Sequence, residues 1–229
     1  MAERPYVLLS CSVSLDGYLD SAGEGRLLLS NDADFDRVDE VRAGCDAILV
    51  GAATVRNDDP RLQVRSEERR RRRLAAGLPP GPVKVTLTSR GDLSPHARFF
   101  QLGDGAKLVY CPDRVAGPLA RRIGPLAEVV AMGPEVEMAQ LTDDLGGRGI
   151  RRLMVEGGGS VHTQFLTAGL ADELQLVVAP FFVGDSRARR FVGDGAFPWC
   201  AERRADLVES RAIGDVALLR YALSDRCPR

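Results

Sequence analysis

Short β-branched and aliphatic runs alternate with helix-like segments along almost the whole chain, and that alternation permits few architectures. Strands joined through helices build a sheet that helices cover on both faces, so the fold class is α/β. The runs predict strands at Tyr6–Ser12, Asp46–Val50, Val83–Thr88, Lys107–Tyr110, Glu128–Ala131, Arg152–Val155 and Glu173–Val178. Two more, at Asp206–Ser210 and Val216–Tyr221, are separated only by the tight turn IGDV. That pair predicts an antiparallel hairpin and therefore a mixed sheet. The clearest helices are Ala33–Arg42, with Ser30, Asn31 and Asp32 as candidate caps, and Ser160–Ala168, closed by Gly169.

Composition removes several functional classes. The chain has 229 residues, 45 % hydrophobic, which suits one large α/β domain with a substantial core. Its net charge of -1 gives no overall positive field for nucleic acid or an anionic membrane. The start, MAERPYVLLS, carries neither a basic flank nor an apolar leader, and no apolar run nears the ~20 residues of a membrane span. A cytoplasmic protein is expected. Cys11, Cys45, Cys111, Cys200 and Cys227 are widely spaced, and His96 and His162 are the only histidines, so no metal centre is expected. The run SEERRRRRLAAGLPPGP, Ser66 to Pro82, opens with two glutamates and lacks interleaved aromatics. It reads as a solvated helix or excursion between strands, and not as a nucleic-acid patch.

Four stretches carry candidate chemistry. In RRLMVEGGGSVHTQFL a buried strand runs into Gly157, Gly158 and Gly159 and then a helix, where main-chain N–H groups and the helix dipole suit an anion such as a pyrophosphate. A ligand-free tight turn is the alternative. The pattern is neither G-x-G-x-x-G nor a P-loop, and Ser160 is not in a G-x-S-x-G elbow. In DAILVGAATVRNDDPRLQVR, Thr54, Asp58, Asp59, Arg61 and Arg65 follow a strand, at the edge where α/β proteins bind ligands. Acids and arginines on one loop favour a polar, phosphate-bearing ligand over a merely capped turn. Ser89 and Arg90 follow the strand VKVTLT and suit the 2′-phosphate of NADPH, although an exposed loop arginine is as good a reading of those two residues alone. SCSVSLDGYL places Asp16-Gly17 in a turn.

Together, SVSLDGYL, VRAGCDAILVGAATVRNDDPRLQVR, VKVTLTSRGDL and LMVEGGGSVHTQFLTAGLADELQLVVAPFFVGD resemble the reductase domain of the riboflavin-biosynthesis deaminase-reductases and their stand-alone relatives. The matches run in family order from about Arg4 to Asp185. The resemblance implies a single reductase domain over residues 1–229 with a dihydrofolate-reductase-like three-layer α/β/α fold, its mostly parallel mixed sheet ending in an antiparallel hairpin. It implies NADPH-dependent reduction of a phosphoribosylaminopyrimidine of the 5-amino-6-(5-phosphoribosylamino)uracil type, by hydride transfer to ribose C1′, and a homodimer. Carried over by position, the cofactor contacts fall on Ser12, Leu28, Thr54, Asp58, Ser89 and Gly158 to Gln164, that is, Gly158, Gly159, Ser160, Val161, His162, Thr163 and Gln164. Gly157 and Arg90 adjoin them. The substrate contacts fall on Arg26, Arg42, Leu62, Arg65 and Glu156. Asp58 and Glu156 are the acids placed near the reacting carbon, and Arg42 and Arg65 are the candidates for the substrate phosphate. Bacterial bifunctional members usually carry a lysine at the position of Ser10, and a small residue and an aromatic at those of Arg26 and Leu28. This rearrangement leaves room for a different aminopyrimidine or a pterin-like substrate, or for a non-catalytic nucleotide- or flavin-binding protein.

Overall fold

The computed structural model describes residues 3–23 and 27–228. Its elements are β1 (Tyr6–Ser14), α1 (Asp32–Ala43), β2 (Ala47–Gly51), α2 (Ala52–Asp58), α3 (Glu67–Ala75), β3 (Val83–Leu87), α4 (Arg98–Gln101), β4 (Lys107–Cys111), α5 (Asp113–Ile123), β5 (Glu128–Ala131), α6 (Met138–Gly147), β6 (Arg152–Gly157), α7 (Gly159–Thr167), β7 (Glu173–Ala179), β8 (Asp206–Ile213) and β9 (Val216–Ala222). The strands form a mixed nine-stranded sheet in the order β5-β4-β3-β2-β6-β1-β7-β9-β8. Every strand expected from the sequence is present, and both named helices start and end within a residue of the expected positions.

The chain divides into two compact units, Met1–Pro5 with Asp39–Met154 and Tyr6–Val38 with Val155–Arg229. In the first, β2, β3, β4 and β5 pair in parallel, with Gly51 opposite Leu87. Every residue of β2 is buried, as its unbroken AILVG run requires of a central parallel strand. Leu49, Val85, Val109, Phe99, Ile123, Leu141 and Leu145 are wholly buried, each such side chain contributing about 2 kcal/mol before chain entropy is set against it. Lys84 on β3 is buried too. It donates to the carbonyls of Phe99 (3.2 Å) and Leu102 (2.8 Å), closing the end of α4, and burial pushes its pKa down to about 8.

The arginine run forms α3. Ser66 caps it by accepting the Arg69 N–H at 3.3 Å, Glu67 and Glu68 occupy its first turn, and Arg72 and Arg73 its last. Most of the helix is exposed, as expected, with one exception. Arg73 is buried and donates to the carbonyls of Ala43, Cys45 and Pro79, each at 2.8 Å. Arg69 and Arg72 pair with Glu40 on α1. The run is thus the expected solvated helix over Arg70, Arg71 and Arg72, with Arg73 turned inward.

In the second unit β1 and β7 are parallel, while β9 pairs antiparallel with both β7 and β8. Asn31 both opens α1, accepting the Asp34 N–H at 3.0 Å, and ties down the hairpin turn through Ile213 and Asp215. Leu29, Val177, Ala179, Ile213, Val216 and Leu218 form an apolar cluster, against which Phe181 packs. Two carboxylates are buried with their partners. Asp172 accepts from Val7 N (2.9 Å), Ser224 Oγ (2.6 Å) and Arg226 (3.0 Å). Glu173 accepts from Tyr6, Arg220 and Gln175. Cys45 and Cys111 are buried among apolar residues, as expected of small hydrophobes.

Candidate functional site

The residues singled out in the sequence fall into two groups, one in each unit. In the first unit β2 passes straight into α2, a helix where the sequence reading expected a loop. Gly51 sits at its N-cap without a side-chain cap, Thr54 lies half-buried in the first turn, and exposed Asp58 ends the helix. Asp59 turns left-handed (φ 41°) and accepts the Arg98 N–H at 2.7 Å, so this second acid of the doublet anchors a neighbouring segment. Leu62, also at positive φ (45°), is buried, so its side chain belongs to the core of the unit.

Arg65 follows, its guanidinium largely exposed, and its main-chain N–H donates to Asp39 of α1 at 2.5 Å. One turn beyond Asp39, Arg42 reaches the Gln63 carbonyl at 3.4 Å, a long contact. The last turns of α1 and the segment 63–66 thus bring both candidate phosphate ligands onto one locality. At the end of β3, Ser89 and Arg90 are exposed. Because β2 and β3 are adjacent and parallel, Thr54 and Asp58 leave the same sheet edge as Ser89 and Arg90, where α/β sheets place ligands. Two further cations stand there that the sequence reading passed over. Arg114 donates to the Ser89 carbonyl (3.1 Å), and Arg56 pairs with Asp92 (2.8 Å). Arg56 lies inside the stretch Asp46–Arg65 but was not singled out there, and Arg114 lies in none of the four stretches.

In the second unit Ser12 lies on β1 opposite Val177 and is half-buried, and Leu28 is exposed. Ser10 is buried. Arg26 lies outside the described residues. Half-buried Glu156 precedes a cis Gly157-Gly158 peptide at the end of β6. Gly158, extended at φ -79° and ψ -170°, is the N-cap of α7, and its carbonyl accepts from Val161 (2.9 Å) and His162 (3.1 Å). No side chain caps this helix and no acid stands in its first turn. The first N–H groups of a helix have no intrahelical acceptor, so this end suits an anion.

Why the glycines are needed differs along the triplet. Gly157 has φ +120°, a conformation side chains oppose, and a β-carbon at Gly159 would lie 2.5 Å from the Arg190 carbonyl oxygen. These two are glycine for internal reasons, which weakens the sequence expectation that the whole triplet is bare for a ligand. Val161 and His162 are buried, so only their main chain could meet a ligand. The His162 ring leans on Phe191, with centroids 5.5 Å apart. Burial drives its pKa down to about 4; the Val155 main chain opposes the shift, but neither ring nitrogen makes a hydrogen bond of normal geometry. Thr163 bonds to the Gly159 carbonyl (2.7 Å) and receives the Gly193 N–H (2.9 Å), and Gln164 reaches back to Ser160.

Asp16, read from sequence as part of a turn, has a definite task. It receives the N–H groups of Val183 (3.0 Å) and Gly184 (2.8 Å) and the Ser14 hydroxyl, pinning the segment after β7. Loss of hydration works against its charge, but these donors hold its pKa down to about 2. Among the described residues no group of side chains is arranged to hold a metal ion, and no helix is long and apolar enough to cross a membrane.

A mostly parallel mixed sheet joined through helices defines an α/β protein, a class in which ligands are ordinarily bound beyond the carboxyl ends of the strands. The chain belongs to the RibD C-terminal domain family, which matches residues 5–219. It is 37 % identical over 225 residues to the 2,5-diamino-6-ribosylamino-4(3H)-pyrimidinone 5′-phosphate reductase of Methanothermobacter thermautotrophicus, covering 96 % of this chain and 99 % of that one. The enzyme of the same name from Archaeoglobus fulgidus is 39 % identical over 183 residues, 79 % of this chain and 83 % of its own. Among solved structures, the Thermotoga maritima diaminohydroxyphosphoribosylaminopyrimidine deaminase/5-amino-6-(5-phosphoribosylamino)uracil reductase superposes with a TM-score of 0.77 at 24 % identity, covering 96 % of this chain. That likeness supports the fold, and the chain spans 56 % of the Thermotoga protein's length.

Proposed function

We propose that this chain is an NADPH-dependent pyrimidine reductase of riboflavin biosynthesis, converting the ribosylamino group of 2,5-diamino-6-ribosylamino-4(3H)-pyrimidinone 5′-phosphate to a ribitylamino group. The observation that carries this reading is the near end-to-end correspondence with the Methanothermobacter enzyme, over 96 % of one chain and 99 % of the other. It also adjusts the substrate expected from the sequence alone: the pyrimidine carries a 2-amino group where the uracil carries an oxygen.

NADPH suits the residues present. The end of α7, with neither a capping side chain nor a first-turn acid, offers main-chain donors to a diphosphate, and Ser89, Arg90 and Arg114 offer a hydroxyl and two cations to a 2′-phosphate. When bound, the nicotinamide supplies a hydride. The chain's own residues do the rest. Arg42 and Arg65 bind the 5′-phosphate, with the forked geometry that favours its oxygens. Opening of the ribosylamine leaves an imine at C1′. Its reduction breaks the C–N π bond and places one proton on nitrogen, which Asp58 and Glu156 are the proposed acids to deliver or orient. Pairing as a homodimer and residence in the cytoplasm accompany this reading.

The test is loss of reduced-nicotinamide absorbance on mixing enzyme, NADPH and either pyrimidine. Faster turnover of the 2,5-diamino compound than of the uracil supports the assignment. Binding of NADPH without oxidation by any member of the panel would instead mark a nucleotide-binding protein. In Arg42→Ala or Arg65→Ala, KM for the phosphorylated substrate is expected to rise roughly 10- to 100-fold, with KM for NADPH nearly unchanged.

A further inference from the structure

We propose that Asp39 is a positioning residue for the substrate phosphate: it holds the main chain at Arg65 so that this guanidinium stands beside Arg42. This inference rests on the reading of Arg42 and Arg65 as phosphate ligands.

Asp39 is 1 % exposed, and it is placed to fix the direction of Arg65 through the main chain. One carboxylate oxygen accepts the Arg65 N–H at 2.5 Å, and the other accepts the Ser66 N–H at 3.0 Å. Two consecutive main-chain N–H groups are thereby held by one rigidly buried carboxylate, which sets the direction in which the Arg65 side chain departs. The closer counter-charge is Arg69, whose side chain is 15 % exposed and which donates to Asp39 at 3.0 Å. The Arg65 Nε lies 3.7 Å from the same carboxylate, a longer ion pair, and its side chain is 59 % exposed. Glu40, the next acid on α1, is engaged by Arg69 and Arg72. Arg42 lies one turn after Asp39 on the same helix, so the carboxylate that orients one candidate ligand is built into the element that carries the other. The two N–H donors and the Arg69 guanidinium outweigh the loss of hydration and hold the Asp39 pKa below its ordinary value, so it remains a charged acceptor at neutral pH.

The experiment compares kcat/KM for the phosphorylated substrate with that for its dephosphorylated counterpart in wild type, Arg65→Ala, Asp39→Asn, Asp39→Ala and the Asp39→Ala/Arg65→Ala double variant. The ratio of the two values isolates phosphate recognition from general damage to the fold. Arg65→Ala should lower the ratio about 10-fold or more. Asp39→Ala should lower it about 5-fold, and the double variant should be no worse than Arg65→Ala alone, since both changes remove the same interaction. Asp39→Asn, which keeps the shape and one acceptor oxygen, should lower the ratio about 2-fold, and it decides the matter if Asp39→Ala does not fold. An unchanged ratio in the Asp39 variants while Arg65→Ala lowers it, or fully additive losses in the double variant, would overturn the role of Asp39 alone. An unchanged ratio in Arg65→Ala itself would overturn the phosphate assignment beneath it.

Discussion

The carbonyl oxygen of Arg190 stands 2.5 Å from where a β-carbon on Gly159 would lie, so the first residue of α7 is glycine because another main-chain segment passes against it. Phe191 continues that segment onto His162, and Gly193 donates to Thr163. A methyl group at position 159 must push main chain aside. Gly159→Ala is therefore expected to destabilise the protein by about 2 kcal/mol, read as a fall in the denaturant midpoint. A variant that unfolds at the same midpoint as wild type would mean that the passing segment yields at no cost.

His162 makes stability depend on pH. The unfolded imidazole titrates near 6.5 and the buried one near 4, so on acidification the unfolded chain takes up the proton first. The contribution is complete above about pH 6.5 and is lost as pH falls toward 4, amounting to roughly 3 kcal/mol across the window. His162→Leu should flatten the pH dependence of the urea midpoint between these limits. An equal slope in both proteins would place the titrating group elsewhere.

The arginine run offers a contrast within one helix. Arg73→Met leaves the buried carbonyls of Ala43, Cys45 and Pro79 without their donor, and a loss of about 3 kcal/mol is expected. Arg71, exposed and 3.7 Å from Glu67, should tolerate alanine within about 0.5 kcal/mol. Thermal melts of the two variants check both values. Equal shifts would contradict the division between internal and solvated arginines.

The strands were legible because aliphatic runs with turn residues between them encode a buried sheet directly, and even the hairpin at IGDV could be read locally. Helices such as α5 were harder. Its sequence contains Gly117 and Pro118, both helix-weakening, and the burial of Leu119 and Ile123 prevails over them. The candidate site was legible as motifs but not as side-chain directions. Periodicity gives no sign that Leu62, Val161 and His162 turn inward. Nor could local reading find Asp16 or Asp39, whose partners lie 167 and 26 residues away in the chain. Those bonds exist only once distant segments meet.

The nesting of the two units bears on how the molecule is made. Asp39–Met154 forms most of one unit, while the other joins Tyr6–Val38 to Val155–Arg229. β1, with the apolar run YVLLSCSVS, pairs with β7, which is translated long after it. On the ribosome the intervening unit can close around its own core while the first strand waits unpaired for its neighbours, the condition under which sheet edges recruit wrong partners. Slowing synthesis after residue 154 would lengthen that exposure, so the yield of this protein should respond to translation rate more strongly than its final stability suggests.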